Sequence, residues 1–395
     1  MNIGIDTTCW WNNRGFGRFT RELLSALFRL DSGHHFYLFV DQPLHELSGL
    51  DNVSVVQVQS SRPTTQAAVA DSRRSLFDMY ELYKAVAAAP LDIMFFPAVY
   101  SWYPIPRGLV SMVTVHDAIA EHYPKLIFPR WKNRLFWALK VKLALWQSKR
   151  ILTVSQAAKQ EIVEYMGVPE GNIDVASAAP NPLFRQTQDS ARLLAARQRA
   201  SLPGDAPVIV YVGGLAPHKN LDGFLDGFEK AVESGRVGDV HLALIGDFKG
   251  GGFLSNYDSL HDKVMASATL RARVHFSGYV SDDDLVALYS SALAAAMPSF
   301  SEGFGLPAVE AMACSAPVLS SDRGSLPEVV GDAGIYFDPF DTQTICNAII
   351  EMIENPQLRA RLSTNALARS QQFTWERAAR QTLAHLENLY APYDL

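Results

Sequence analysis

Two glutamates flank a glycine loop in PSFSEGFGLPAVEAMA, the segment running from Pro298 to Ala313. Gly303 and Gly305 let backbone come close to a ligand. The run LPAVEAMA reads as a helix with Pro307 at its first position, and a helix N-terminus offers unpaired N–H groups and positive dipole. A diphosphate suits that surface. Glu302 lies on the loop and Glu310 in the first turns of the helix, with seven residues between them. One carboxylate can hold sugar hydroxyls and the other a ribose diol. The plainer alternative has Glu310 complementing the helix dipole and Glu302 solvated.

Three further segments carry chemistry of a matching kind. In YVGGLAPHKNL, Tyr211–Leu221, a strand enters a glycine turn, then the pair His218–Lys219, then a helix. Lys219 can offer a point charge to a diphosphate and steady it as a leaving group. In TVHD, Thr114–Asp117, His116 stands at the carboxyl end of a strand, where side chains serve sites, not mid-strand in the core. Asp117 next to it is assigned an orienting role. GFGR, Gly15–Arg18, is placed in the loop between strand IGID and a helix from Phe19 to Leu30. It is not the GxGxxG of dinucleotide enzymes, since Thr20 stands where the third glycine belongs. The acids Asp282–Asp284 follow Ser281 and precede LVALYSSA, so they read as a capped first helical turn and not as a metal site.

Positioning these groups requires strands that end in loops, and the chain alternates short β-rich runs with helical patterns throughout. Strands are expected at Asn2–Asp6, Phe36–Asp41, Val53–Val58, Asp92–Phe96, Val110–Val115 and Arg150–Val154, with helices such as Phe16–Leu30, Ser72–Ala89 and Ala157–Met166. A second series comprises Val208–Val212, His241–Ile245, Val274–Phe276, Ala294–Met297, Pro317–Ser320 and Gly334–Phe337. That is the α/β signature of parallel sheets, given twice. Ser177–Pro207, with APNP and LPGDAP, reads as the linker, and Ala191–Ala200 as a helix within it. A length of 395 residues, 48% hydrophobic and 19% charged, fits two globular domains. The net charge of −6 argues against a general nucleic-acid binder.

With these motifs in view, Val274–Asp341 resembles the family 4 retaining glycosyltransferases of the GT-B fold, and the likeness extends more loosely over nearly the whole chain. The resemblance implies two Rossmann-like doubly wound parallel-sheet domains facing a central cleft. Residues 1–185 with 375–395 would form the acceptor-side domain and 186–374 the donor-nucleotide domain. The family's E-x7-E falls on Glu302 and Glu310. The resemblance implies catalytic roles for His116, Lys219 and Glu302. It implies donor contacts from Gly15, Gly17, His218, Lys219, Gly303, Phe304, Gly305, Leu306 and Glu310. His218 stands where the family carries arginine, and Ser315 where it commonly carries glycine. The implied reaction is transfer of a hexose, with retention, from a nucleoside-diphosphate sugar to a saccharide or lipid-linked saccharide. UDP-hexose ranks ahead of GDP-mannose as donor, and no metal or other cofactor is implied. The rivals are a sugar-nucleotide epimerase, a phosphorylase and a non-catalytic sensor.

One segment falls outside that machinery. Lys125–Arg150 holds eight Lys or Arg and no acid, interleaved with Trp131, Phe136, Trp137 and Trp146. Basic plus aromatic composition suits a helix resting on an anionic bilayer, against the alternative of core aromatics and solvated lysines. No stretch reaches the roughly 20 apolar residues of a spanning helix. MNIGIDTTCWW lacks the pattern of a signal peptide. Cys9, Cys314 and Cys346 suggest no disulfide framework. The expected setting is cytoplasmic, with peripheral contact on the inner face of a membrane.

Overall fold

The structure is a computed structural model describing residues 1–12, 14–44, 46–47, 49–60, 75–128, 130–248 and 255–390. The expected start of the Ser72–Ala89 helix, Pro129 in the basic segment and residues 391–395 lie outside them. The chain divides into two compact units: Met1–Pro124, Phe128–Ala178 and Trp375–Leu395 in the first, and Lys125–Ile127 with Ala179–Thr374 in the second. The boundary read from sequence stood at 185.

The first unit is built on seven parallel strands: β1 (Asn2–Asp6), β2 (His35–Val40), β3 (Val53–Gln57), β4 (Ile93–Phe96), β5 (Val110–Thr114), β6 (Arg150–Thr153) and β7 (Ile173–Val175). Their order is β3-β2-β1-β4-β5-β6-β7. The second has six: β8 (Val208–Val212), β9 (His241–Ile245), β10 (Val274–Gly278), β11 (Ala294–Met297), β12 (Val318–Ser321) and β13 (Gly334–Phe337), ordered β10-β9-β8-β11-β12-β13. All neighbours pair in parallel, as in β8 with β9 and β11 with β12. Strands covered on both faces read as unbroken apolar runs, which is why HLALI and IMFF were recognisable. Strand β7 was not foreseen, because three residues leave no period to detect.

Helices cover the sheets through their apolar faces. Gly15–Leu27 buries Phe19, Leu23, Leu24 and Leu27. Phe19 meets Trp375, the first residue of helix Trp375–Tyr390, edge to face at 5.7 Å. In the second unit Leu221–Glu233 buries Phe224 and Phe228, and Thr342–Glu354 buries Ile345 and Ile349, into one core with Leu242, Leu244 and Leu319.

Two local expectations are corrected. GFGR is not loop: it forms the first turn of helix Gly15–Leu27. Pro307 is the second residue of helix Leu306–Ala313, not its first. The acids at Asp282–Asp284 do open a capped helix, with Ser281 Oγ accepting from Asp284 N–H at 3.2 Å. Two of them pair with Arg192 and Arg199 of helix Ser190–Arg199.

Candidate functional site

In each sheet the strand order reverses after its first strand, between β1 and β4 and between β8 and β11. Loops leaving the carboxyl ends of two such strands diverge and leave room for a ligand. In the second unit, the loop after β8 runs through Gly213 and Gly214 to a 3-10 turn at Pro217–Lys219. The loop after β11 runs from Pro298 to Gly305. The two are joined: Phe300 N–H donates to the His218 carbonyl at 2.9 Å.

Across that junction Lys219 Nζ donates to both oxygens of Glu302, at 2.7 and 2.8 Å. Ser299 Oγ donates to Glu302 Oε1 at 2.6 Å. Burial pushes the Glu302 carboxyl up, but the adjoining Lys219 charge and the hydrogen bonds from Lys219 and Ser299 outweigh it and hold the group below its ordinary range. Glu302 is therefore ionised at neutral pH. An ammonium has three N–H donors and Glu302 takes two, so Lys219 keeps one for a further anion.

His218 is different in kind. Burial, and then the Lys219 charge beside it, lower its imidazole to about 3 against the pull of Glu302. It is neutral at pH 7, and its buried Nδ1 has no hydrogen-bond partner among the described residues. Of the pair His218–Lys219, only Lys219 thus brings a formal charge to this loop.

The loop then turns into helix Leu306–Ala313. Gly305 is the N-cap with φ +91°, a left-handed geometry that suits glycine, and a Cβ there would also press on Leu326 Cδ2 at 3.0 Å. Gly303 is buried in the loop, and Leu306, half-buried, begins the helix. Glu310, eight positions beyond the loop glutamate, is only 3% exposed. The Phe304 ring is buried and packs edge-on against Phe373 at 5.4 Å.

Two supports escaped the sequence reading. Asn220 has φ +52°, and its buried amide donates to the carbonyls of Pro298 at 3.2 Å and Pro339 at 2.7 Å. It ties the Lys219 loop to the Glu302 loop. Ser299 orients Glu302 directly. An asparagine between Lys219 and a helix was a usable signal, since asparagine tolerates left-handed backbone.

In the corresponding loops of the first unit the charged side chains serve the loops themselves. After β1, Thr8 donates to Asp6 Oδ1 through N–H at 3.2 Å and Oγ at 2.8 Å. Arg21 on helix Gly15–Leu27 donates to the carbonyls of Trp10 at 2.5 Å and Asn12 at 2.8 Å. Gly15 is exposed at the helix start. Gly17 is buried, and a Cβ there would stand 2.0 Å from the Asn12 carbonyl oxygen. Its lack of side chain is therefore required by the loop itself, whatever binds there. His116, just past β5, donates from Nε2 to the Pro97 carbonyl at 3.1 Å, with Phe19 edge-on at 4.7 Å. Burial lowers it to about 4, against a smaller opposing effect of that hydrogen bond. A neutral imidazole whose Nε2 carries the proton has an acceptor at Nδ1.

Among the described residues, no cluster of three His, Cys, Asp or Glu is arranged to hold a metal ion. None of their helices is long and apolar enough to cross a membrane. Asp117 caps a short turn by accepting from Ile119 N–H at 3.1 Å.

Two family models match this chain: Glycosyltransferase Family 4 over residues 13–178 and Glycosyl transferases group 1 over residues 195–369. The sequence is 31% identical over 288 residues to O-antigen chain mannosyltransferase B of Escherichia coli, covering 71% of each chain. It is 30% identical over 334 residues to the MMP alpha-(1->4)-mannosyltransferase of Mycolicibacterium hassiacum, covering 82% of this chain and 74% of that one. Among solved structures, sucrose-phosphate synthase of Thermosynechococcus elongatus matches with a TM-score of 0.74 at 19% identity, over 99% of each chain.

Proposed function

The chain belongs to the family 4 glycosyltransferases of group 1 type, and we propose that it transfers a hexose from a nucleoside-diphosphate sugar with retention and without a metal. The observation that carries this reading is the Lys219–Glu302 pair between the loops of β8 and β11. Lys219 meets the donor diphosphate with its remaining N–H, together with the N-terminus of helix Leu306–Ala313. Glu302, held ionised, accepts hydroxyls of the donor sugar, and Glu310 is assigned to the ribose. From the first unit, His116 Nδ1 accepts a sugar hydroxyl, and the N-terminal turn at Gly15 and Gly17 offers N–H groups to phosphate. His218 adds no charge.

The chemical step is displacement on one face of the sugar. The bond from the anomeric carbon to the diphosphate oxygen breaks, a bond to the acceptor oxygen forms, and the departing diphosphate takes the acceptor proton. No side-chain base is required; positioning and charge stabilisation supply the rate. Both curated relatives are named mannosyltransferases, so GDP-mannose now stands before UDP-hexose as the first donor to test.

The acceptor is a lipid-linked saccharide, met at a membrane through helix Trp131–Gln147. That helix buries Trp137, Val141 and Ala144 and turns Trp131, Leu135, Leu139, Leu143 and Trp146 outward, with Trp131 71% and Trp146 78% exposed. An apolar stripe with Lys132 and Lys142 beside it suits an anionic interface.

The test is acceptor-dependent release of nucleoside diphosphate. Lys219→Ala and Glu302→Ala are expected to lose at least 99% of turnover, about a hundredfold, with an unchanged circular-dichroism spectrum. Wild-type rates in both would sink the site, and release that needs no acceptor would point to hydrolysis or isomerisation.

A further inference from the structure

A groove of about 450 Å³ opens in the first unit under helix Trp131–Gln147, where no part of the proposed chemistry takes place. Val141, Leu145, Ile151 and Val168 give it an apolar floor. Lys142 and Lys149 also line it, as does Trp146, which belongs to the outward apolar stripe. The volume lies within the roughly 300–1,000 Å³ of small-molecule sites.

Among the described residues the lining holds a single acid, Glu121. Its Oε1 accepts from Trp137 Nε1 at 2.8 Å, and its buried Oε2 has no partner among the described residues. Burial raises this carboxyl to about 7, opposed by the Trp137 hydrogen bond and helped by the Asp117 charge. Much of its charge is therefore absent near neutral pH, and two lysines dominate the polar part of the groove.

An apolar trough bordered by cations and continuous with a bilayer-facing stripe selects its occupant by chemistry. We propose that the groove takes the hydrocarbon chain of an anionic lipid, with Lys142 and Lys149 meeting its phosphate-bearing headgroup. A free sugar or nucleotide would leave the floor unfilled, and an uncharged lipid would gain nothing from the charge of the two lysines. The inference rests on the membrane contact proposed above, and it adds a specific lipid site to a surface that otherwise binds without selection.

Calorimetry with dodecyl phosphate below its critical micelle concentration tests the groove without a bilayer. The wild type is expected to bind it at least tenfold more tightly than dodecyl maltoside or inorganic phosphate. Ala138→Phe, which fills the groove from an exposed helical position, should weaken binding at least tenfold. Lys142→Gln with Lys149→Gln should weaken it about fivefold and leave dodecyl maltoside unaffected. Absence of binding to the wild type, equal affinity for the neutral detergent, or indifference to both variants would overturn the proposal.

Flotation with phosphatidylglycerol vesicles separates this from the membrane reading. Leu135→Glu with Leu139→Glu should abolish flotation yet still bind dodecyl phosphate, whereas Ala138→Phe should float. Wild-type protein that does not float defeats the membrane contact; wild-type protein that floats but binds no dodecyl phosphate defeats the groove alone.

Discussion

After β8 and β11 the second unit sets Lys219 and Glu302 in a partly buried ion pair, braced by Ser299 and Asn220. After β1, β4 and β5 the first unit sets a neutral His116 against the Pro97 carbonyl and ties Arg21 to backbone. The same reversal of strand order underlies both. Topology supplies a place for a ligand twice, and the loop side chains decide what kind. A cation held beside a carboxylate suits a diphosphate. An imidazole kept neutral by burial brings no charge to a ligand and offers it hydrogen bonds.

The sharpest way to break this contrast is a double-mutant cycle on the charged pair. Lys219→Met and Glu302→Gln should each reduce kcat/KM by about 10² to 10³, and the double variant should fall no more than about threefold below the worse single. Multiplicative losses would mean that the two groups act independently.

The first unit offers a pH test with opposite signs. His116 titrates near 4 when folded and near its ordinary 6.5 when unfolded. The unfolded chain takes the proton more readily, so this group's contribution is full above about 6.5 and is lost as pH falls towards 4. Glu121 runs the other way: folded near 7 against an ordinary 4.5, its contribution is full below 4.5 and is lost as pH rises through 7. Glu121→Gln should therefore stabilise the protein at pH 8 by up to about 3 kcal/mol, and His116→Asn should flatten the loss between pH 6.5 and 4 by a similar amount. Denaturant melts across pH 4–8 measure both, and parallel curves for variant and wild type would refute the assignment.

Smaller effects follow. Gly17→Ala should cost about 2 kcal/mol by forcing the Asn12 carbonyl away, seen as a lower melting temperature. Ser299→Ala should cost about 1 kcal/mol at Glu302, a roughly fivefold fall in kcat/KM with no change in melting. A large melting change for Ser299→Ala, or none for Gly17→Ala, would invert the division between the proposed site loop and the structural loop.

Much of the fold was readable because local chemistry repeats. Runs such as VIVYV and HLALI announce buried parallel strands, Ser281 announces a helix start, and GFG at Gly303–Gly305 announces backbone approach. The same cues misplaced GFGR, since glycine marks a loop in most contexts. Here Gly15 opens the helix, and Gly17 packs closely against the Asn12 carbonyl.

By itself the sequence determined the α/β alternation, the glycine loops and residue types that suit a diphosphate. Only the tertiary structure decided that Lys219 and Glu302, 83 residues apart, bond to each other. It also decided that His218 and His116 are neutral and that Phe304 faces inward. The reason is range. Periodicity and capping act over a few residues, whereas pairing and burial depend on which strands lie side by side. The adjacency of β8 and β11 comes from the whole sheet.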